Sequence, residues 1–252
     1  MSHPAIHPLS QMPLNRVHLP SPNYSSRGGA KVTTIVLHTA EGATTYQSLG
    51  SFFANPSSKV SSHVGIDDTP NTVGEYVPRS GSAWTSASAN QWSVQAELCA
   101  FAKWDSAEWQ RHPNMLANLA AWIAEEAAYF GIPIVKLTAS GAQNAGQAGV
   151  CQHIDLGSMG GGHVDCDYGT GNFPIDQVLE MAKGGSAVLP DDDTEDDVIL
   201  IRNSKGEYST FNGAHKLRVS GPADLTALKS AGVKEPTSAV SDAYYNSIPV
   251  AK

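Results

Sequence analysis

The chain has 252 residues, of which 41% are hydrophobic and 16% charged, a composition typical of soluble globular proteins. Its formal net charge of -8 comes with no run of Lys or Arg, which disfavours nucleic acid as a partner. No stretch approaches the roughly 18 apolar residues of a membrane span, and the N-terminus lacks the basic and apolar regions of a secretory signal. We therefore expect neither membrane insertion nor a signal peptide. The three cysteines indicate buried thiols, not a disulfide framework.

The first part of the chain contains an extended segment, a strand and a short helix. Residues 1–30 are rich in Pro, His and Ser, which predicts an extended arm that wraps the following domain. In KVTTIVLHTAEG, β-branched and apolar residues predict a strand that ends at His38. In ATTYQSLGSFFANP, apolar residues recur at helical spacing until a proline, which predicts a short helix.

The middle of the chain alternates further strands with helices. SSHVGIDDTPNTVGEYVP predicts a hairpin, and the nearly continuous apolar run in WSVQAELCAFA predicts a central strand. PNMLANLAAWIAEEAAYFGIP predicts a long helix that begins at Pro113 and ends at Gly131, and IDQVLEMAKGG predicts a last one. Together these elements predict an α/β domain over residues 31–184, with a mixed central sheet flanked by helices.

The composition changes after this domain. Residues 185–197 include the run PDDDTEDD, whose six carboxylates predict an acidic, solvated linker. Residues 198–252 then predict a meander of short strands followed by one short helix, PADLTALKSAG. We therefore expect a small C-terminal α+β module.

Ligand-capable side chains occur at three places. His38 ends a predicted buried strand, where polar groups emerge from the core of α/β folds. His153, in CQHIDLG, is followed by Asp155, a candidate carboxylate partner for one imidazole nitrogen. The glycine-rich loop at residues 160–171, GGGHVDCDYGTG, adds a His, a Cys and two Asp. A catalytic zinc takes three protein ligands of these types, so the sequence predicts a metal site split across the chain.

The order of these segments resembles that of the zinc N-acetylmuramoyl-L-alanine amidases, a family that includes peptidoglycan recognition proteins and the amidase domains of bacteriophage endolysins. The resemblance covers about residues 30–183, and GGGHVDCDYGTGNFP is similar to lysins of phages that infect actinobacteria. It implies zinc-assisted hydrolysis of the amide between the muramoyl lactyl group and L-alanine in peptidoglycan. It also implies an enzyme that is located in the host cytoplasm before its release and then acts on the cell wall.

The resemblance assigns roles to several residues. Two family ligands, a His that ends the first strand and a His in a GH-x-D type motif, fall on His38 and on His153, where QH stands in place of GH. The strand motif S-I-G-I-E-L corresponds to S-V-Q-A-E-L, which makes Glu97 the expected general acid/base. His63 is expected either to support the site from behind or to line the cleft and contact substrate. Trp84 is expected to line the cleft and contact substrate, with packing in the core or at an interface as the alternative. Further aromatic candidates for that cleft are Tyr76, Trp92 and Trp104, and for each of them packing in the core or at an interface is the alternative.

The third ligand has two candidate registers. Matching HVDC to KTDP makes Asp165 the ligand, and matching VDCD to TECP makes Cys166 the ligand. Family members place a cationic donor two residues before the ligand, where it stabilises the developing oxyanion. With Asp165 that residue is His163, which can donate a proton, whereas with Cys166 it is Val164, which cannot. We therefore predict Asp165 as the ligand and His163 as the oxyanion donor, with Cys166 in reserve.

Alternative functions stay open at this point. The chain could be a non-catalytic peptidoglycan-binding protein of the same fold, a zinc peptidoglycan peptidase, or an enzyme that recycles muropeptides. Residues 198–252 are predicted to be a cell-wall-binding domain that raises the local substrate concentration, with a structural or oligomerising role as the alternative.

Overall fold

The computed structural model describes residues 14–184, 199–202, 205, 208–211 and 216–218. The chain divides into two units, residues 1–188 and residues 189–252. The predicted acidic linker, residues 185–197, lies outside the described residues.

The first unit is built on a six-stranded sheet. In chain order the strands of this unit are β1 (Asn15–His18), β2 (Tyr24–Ser26), β3 (Thr34–Thr39), β4 (Val64–Ile66), β5 (Thr72–Glu75), β6 (Gly81–Ala83), β7 (Ser93–Leu98) and β8 (Gly149–Gln152). The order across the sheet is β1-β5-β4-β7-β3-β8, while β2 and β6 form a separate antiparallel pair. Strands β4 and β5 are antiparallel, and the other neighbours in the large sheet are parallel. The predicted hairpin and the predicted central position of β7 are both confirmed.

Helices flank this sheet. They are α1 (Tyr46–Phe53), α2 (Ser106–Gln110), α3 (Pro113–Phe130), α4 (Ala139–Ala142) and α5 (Ile175–Ala182). As predicted, α3 has its proline in the first turn and ends at Gly131, which adopts the left-handed conformation (φ 68°) that favours glycine at a helix end. Among the helices that the structure describes, none is both long enough and apolar enough to span a bilayer. The predicted mixed α/β fold is confirmed.

The two faces of the sheet have different environments. On one face, Ile35 and Leu37 of β3 pack in the same hydrophobic core as α3 and α5. Because successive residues of a strand point to opposite faces, His38 projects from the other face. The same alternation in β7 separates Gln95 and Glu97 from the apolar residues between and beside them, which join that core. The face that is not covered by α3 therefore carries the polar side chains.

The described part of the predicted arm, residues 14–30, is more closely integrated than expected. Strand β1 extends the large sheet by pairing in parallel with β5, and β2 pairs with β6. Arg16 then joins this edge to the rest of the unit, since its guanidinium contacts Glu75 at 3.2 Å and Glu126 at 3.1 Å. The exposed edge of β5 explains the difference, because β1 satisfies backbone groups that would otherwise lack partners.

The second unit contains the predicted meander. Strands β9 (Ile199–Arg202), β10 (Tyr208–Phe211) and β11 (Lys216–Arg218) form a three-stranded antiparallel sheet in the order β11-β10-β9. The short helix predicted after this meander lies outside the described residues.

Candidate metal centre

Three buried side chains converge at one edge of the large sheet. His38 lies near the end of β3, and His153 directly follows β8, the parallel neighbour of β3. Asp165 comes from the glycine-rich loop, which is held to the end of β8 by a hydrogen bond from the backbone N of Ile154 to the carbonyl O of Asp165 (2.8 Å). One ligand atom from each of His38, His153 and Asp165 lies within 4.8 Å of the other two.

The spacing of the three side chains suits a single ion. The Nδ1 atoms of His38 and His153 are 2.9 Å apart. Carboxylate oxygens of Asp165 lie 3.3 Å from Nδ1 of His38 and 3.2 Å from Nδ1 of His153. Ligand atoms at about 2.0–2.1 Å from a tetrahedral zinc are themselves about 3.3 Å apart. The three side chains therefore need little rearrangement to share one ion.

The two imidazoles face each other through their Nδ1 atoms. Nε2 of His153 lies 2.8 Å from the carbonyl oxygen of Gly160, which can only accept, so Nε2 carries the proton and Nδ1 of the neutral ring does not. Nε2 of His38 lies 3.0 Å from Oε1 of Gln95. Burial lowers the pKa of His38, and the neighbouring His153 lowers it further, which favours the neutral ring. A neutral His38 with its proton on Nε2 directs a second electron pair to the same point, and a cation there can bind both Nδ1 atoms.

The structure brings Asp165, not Cys166, to the two histidines. The carboxylate of Asp165 contacts both rings, as described above. The side chain of Cys166 is fully buried in the hydrophobic core that includes α3. Burial also raises the pKa of this thiol well above its usual value, with Asp165 adding to the effect, so it stays protonated. The reserve candidate for the third ligand therefore lies outside the cluster.

The prediction for Asp155 is wrong. Its Oδ2 accepts a hydrogen bond from the backbone N of Gln152 (3.0 Å), which caps the turn that follows β8. His153 is oriented instead by the carbonyl oxygen of Gly160. A backbone acceptor replaces the expected carboxylate because the 3-10 turn from His153 to Gly160 folds back onto the ring.

Glu97 lies beside the cluster with an unsatisfied oxygen. It pairs in register with His38 across β7 and β3, so the two side chains leave the same face of the sheet. Its Oε2 is buried and has no hydrogen-bond partner. Burial raises the pKa of Glu97 well above its usual value, and the charges of Asp165 and Glu41 raise it further.

An open cavity of about 730 Å³ lies over the cluster, and Glu97, His163 and Trp84 are among its lining residues. The ring of His163 stacks on the ring of His153, with centroids 4.7 Å apart and an angle of 11° between the planes. The indole of Trp84 is fixed by a hydrogen bond from Nε1 to Oγ of Ser25 (2.8 Å). Both side chains therefore line the cavity over the metal centre.

Of the two positions expected for His63, the structure excludes the one in the lining of the cavity. It is 2% exposed and is not among the residues that line the cavity. Its Nδ1 accepts from the backbone N of Gln95 (3.1 Å), and its Nε2 lies 3.1 Å from the carbonyl oxygen of Gly81 and 2.8 Å from Nη2 of Arg27. Burial lowers the pKa of His63 to about 3, and the charge of Arg27 adds to this. Both ring nitrogens are engaged inside the protein, so the expectation of a direct substrate contact is corrected: His63 supports β7.

The other aromatic candidates pack inside the first unit. Tyr76 is 1% exposed and belongs to a cluster with Leu49 and Phe53. Trp92 packs beside a second buried cluster, and Trp104 stacks on His112 with centroids 4.4 Å apart. None of the three lines the cavity over the metal centre.

Three features of the site were not predicted from the sequence. Gln95 contacts His38, Gly160 contacts His153, and the exposed apolar side chains of Phe52 and Val60 extend the lining of the cavity. Gln95 carries a detectable signal, because it is polar within an apolar strand and lies two residues before Glu97, on the same face. Gly160 carries no such signal in the sequence, because it contributes only its backbone carbonyl.

Comparison with known proteins gives one family match. A family model described as N-acetylmuramoyl-L-alanine amidase matches residues 28–162, more than half of the chain. The solved structure of the Staphylococcus aureus hydrolase AmiA in complex with its ligand is 21% identical, with a TM-score of 0.49, over 67% of this chain and 80% of that chain. The endolysine N-acetylmuramoyl-L-alanine amidase LysCS from Clostridium intestinale URNW is 15% identical, with a TM-score of 0.48, over 70% of this chain and 99% of that chain. A mutant endolysin from Bacillus subtilis is 17% identical, with a TM-score of 0.46, over 67% and 99%. No curated protein matches the chain.

Proposed function

The chain belongs to the N-acetylmuramoyl-L-alanine amidase family, and on this basis we propose that it hydrolyses the amide bond between N-acetylmuramoyl residues and L-alanine in bacterial peptidoglycan. The observation that carries the proposal is the convergence of His38, His153 and Asp165 within 4.8 Å. The open cavity above these residues suits a bulky substrate that enters from solvent.

We assign Zn2+ as the cofactor, with His38, His153 and Asp165 as its protein ligands. Two imidazole nitrogens and one carboxylate oxygen are a donor set of catalytic zinc sites, which leave a fourth position for water or substrate. Magnesium and calcium favour oxygen donors, so two imidazoles disfavour them. Zinc at this position would polarise the scissile carbonyl and lower the pKa of water.

Glu97 is assigned as the general base and then the general acid. In the hydrolysis, the oxygen of water bonds to the lactyl carbonyl carbon, the carbon–nitrogen bond breaks, and a proton from the water ends on the amine of L-alanine. Glu97 lines the cavity and has an oxygen without a partner, so it is free to accept that proton and to deliver it. Its raised pKa suits a group that must both take up and release a proton.

His163 is assigned as the hydrogen-bond donor to the oxyanion that develops on the carbonyl. Its side chain is exposed to the cavity, and stacking on His153 holds the ring beside the metal centre. A ring nitrogen that carries a proton can donate to negative charge there in either the neutral or the charged form.

We further propose that the protein is a bacteriophage endolysin that reaches the cell wall from the host cytoplasm. Its support is the resemblance of the glycine-rich loop to lysins of phages that infect actinobacteria. The presence of a second unit, residues 189–252, fits an enzyme that is tethered to its polymeric substrate.

The test is mass spectrometry of cell walls digested by the parent chain, by Glu97→Gln and by Glu180→Gln, a control at a carboxylate on the exposed part of α5. We expect the parent and the control to release peptides with new L-alanine amino ends. Activity should disappear with a chelator and return with zinc. Glu97→Gln should bind zinc and lose about 100- to 10,000-fold in rate.

Other results would overturn the proposal. Wall binding without any new amino end would identify a non-catalytic peptidoglycan-binding protein. New amino ends within the stem peptide would identify a peptidase. Full activity in excess chelator would show that zinc is not the cofactor.

A further inference from the structure

We propose that Gln95 is a positioning residue, which fixes the tautomer of His38 and so keeps the Nδ1 electron pair of His38 directed at the metal centre. This inference rests on the proposed function, because it takes the cluster of His38, His153 and Asp165 to be a zinc site. It concerns a residue that contacts neither the zinc nor the substrate.

Gln95 lies directly behind His38. It is fully buried on β7, the strand next to β3, and its side chain leaves the same face as Glu97. Its Oε1 lies 3.0 Å from Nε2 of His38 and also accepts a hydrogen bond from the hydroxyl of Ser86. The hydroxyl oxygen of Ser86 also lies 3.2 Å from Nε2 of His38. Because Ser86 donates its only proton to Oε1 of Gln95, both oxygens face Nε2 as acceptors, and the Gln95 amide decides which nitrogen of His38 carries the proton.

The orientation of this amide is set by the backbone. Oδ1 of Asn90 accepts hydrogen bonds from the backbone N of Thr85 (3.1 Å) and of Ser86 (2.6 Å). Backbone N–H groups can only donate, so this atom of Asn90 must be the oxygen. Nε2 of Gln95 lies 3.1 Å from the same oxygen. A flipped Gln95 amide would place oxygen against oxygen, so its own oxygen must face His38.

This chain of contacts prevents the two histidines from pairing with each other. If His38 carried its proton on Nδ1, it would donate to Nδ1 of His153 at 2.9 Å and occupy the electron pairs that zinc needs. That tautomer would also direct the bare Nε2 of His38 at Oε1 of Gln95, where two acceptors repel. The Ser86 hydroxyl could donate to Nε2 only by giving up its hydrogen bond to Gln95. Gln95 therefore disfavours a hydrogen bond between the two Nδ1 atoms and leaves both of them available to a cation.

The first test is zinc affinity, measured by competition with a chelator of known affinity. Gln95→Leu removes the acceptor, and we expect zinc to bind about 10- to 100-fold more weakly. Gln95→Glu should retain the parent affinity, because a protonated carboxyl can donate to Asn90 while its carbonyl oxygen accepts from His38. Asn118→Leu is the matched control: its buried amide donates to three backbone carbonyls of the first unit. This variant should lower the melting temperature and leave zinc affinity unchanged.

The second test is nitrogen-15 NMR of the imidazoles in the metal-free parent, which does not depend on the folding of any variant. We expect the proton of His38 on Nε2. A proton on Nδ1 would overturn the inference, as would a folded Gln95→Leu that binds zinc like the parent, or a Gln95→Glu that loses as much affinity as Gln95→Leu. A parent chain that binds no zinc would instead overturn the proposed function, and the NMR spectrum would still decide the tautomer.

Discussion

Asp165 and Cys166 are neighbours in the chain, yet their side chains lie in opposite environments. The carboxylate of Asp165 contacts both imidazoles of the cluster, and the thiol of Cys166 is fully buried in the core. One residue of register therefore separates a proposed metal ligand from a packing residue. The two positions predict different consequences of substitution.

Asp165→Ala should abolish stoichiometric zinc binding, because it removes one of the three proposed ligands. Cys166→Ala should retain zinc, and its free energy of unfolding should fall by about 1 kcal/mol, because a small buried side chain is replaced by a smaller one. Zinc content by atomic emission and thermal unfolding of the metal-free chains measure the two effects. Loss of zinc in Cys166→Ala with retention in Asp165→Ala would reverse the assignment.

Glu97 predicts a pH-dependent stability. A carboxyl whose pKa is raised in the folded chain favours folding below its ordinary pKa, and this contribution is lost as the pH rises through the folded value. In the metal-free protein, Glu97→Gln removes the cost of the buried charge and should raise the melting temperature by a few degrees at about pH 8. The gain should vanish near about pH 4, where the side chain at position 97 is uncharged in both folded variants. An equal gain at both pH values would show that charge is not its cause.

At the scale of elements, the sheet beneath the site is packed without space for an added methyl group at Gly65. A Cβ atom at Gly65 in β4 would lie 2.0 Å from the hydroxyl of Tyr76, which donates to the carbonyl oxygen of Tyr46 (2.7 Å). Strand β4 pairs with β7, which carries Glu97, so packing at Gly65 helps to hold the strand behind the site.

Gly65→Ala should therefore destabilise the chain by about 1–3 kcal/mol, as overpacking does in other cores. Gly42→Ala is the matched control, because a Cβ there meets nothing within 4 Å. Chemical denaturation of both variants measures the difference. Equal stability of the two variants would contradict the packing described for β4.

The elements also show what the sequence could predict. β3, β7 and α3 follow from local patterns of apolar residues, and the predicted end of β3 placed His38 at the edge of the sheet. Strand β8, which His153 directly follows, was not predicted. The groups that orient those two histidines could not be predicted from the sequence. Gly160 acts through its carbonyl, which no residue type specifies, and Gln95 acts through an amide whose orientation depends on Asn90. The pairing of β1 with β5 was also missed, because it depends on an edge 57 residues away.

At the scale of the whole molecule, the proposed amidase centre lies in the first unit. The three proposed ligands and Glu97 all belong to residues 1–188, and the family match ends at residue 162. The second unit, residues 189–252, is not needed to complete that centre. Its proposed role is to bind the cell wall, with oligomerisation as the alternative.

A chain that ends at Gly184 should separate these roles. It should retain zinc and hydrolyse small soluble muropeptides at the parent rate, and it should lose co-sedimentation with cell walls because the tether is gone. Light scattering of both chains reports the oligomeric state. Unchanged wall binding by the shortened chain would place the binding surface in the first unit, and a change of mass alone would support the oligomerising role.

The proposed metal centre is tested most directly by locating zinc in a crystal of the protein, using anomalous scattering at the zinc absorption edge. We expect one strong peak at about 2.0–2.1 Å from Nδ1 of His38, Nδ1 of His153 and a carboxylate oxygen of Asp165. A zinc-loaded crystal whose peak lies elsewhere, or is bound by Cys166 in place of Asp165, would contradict this expectation.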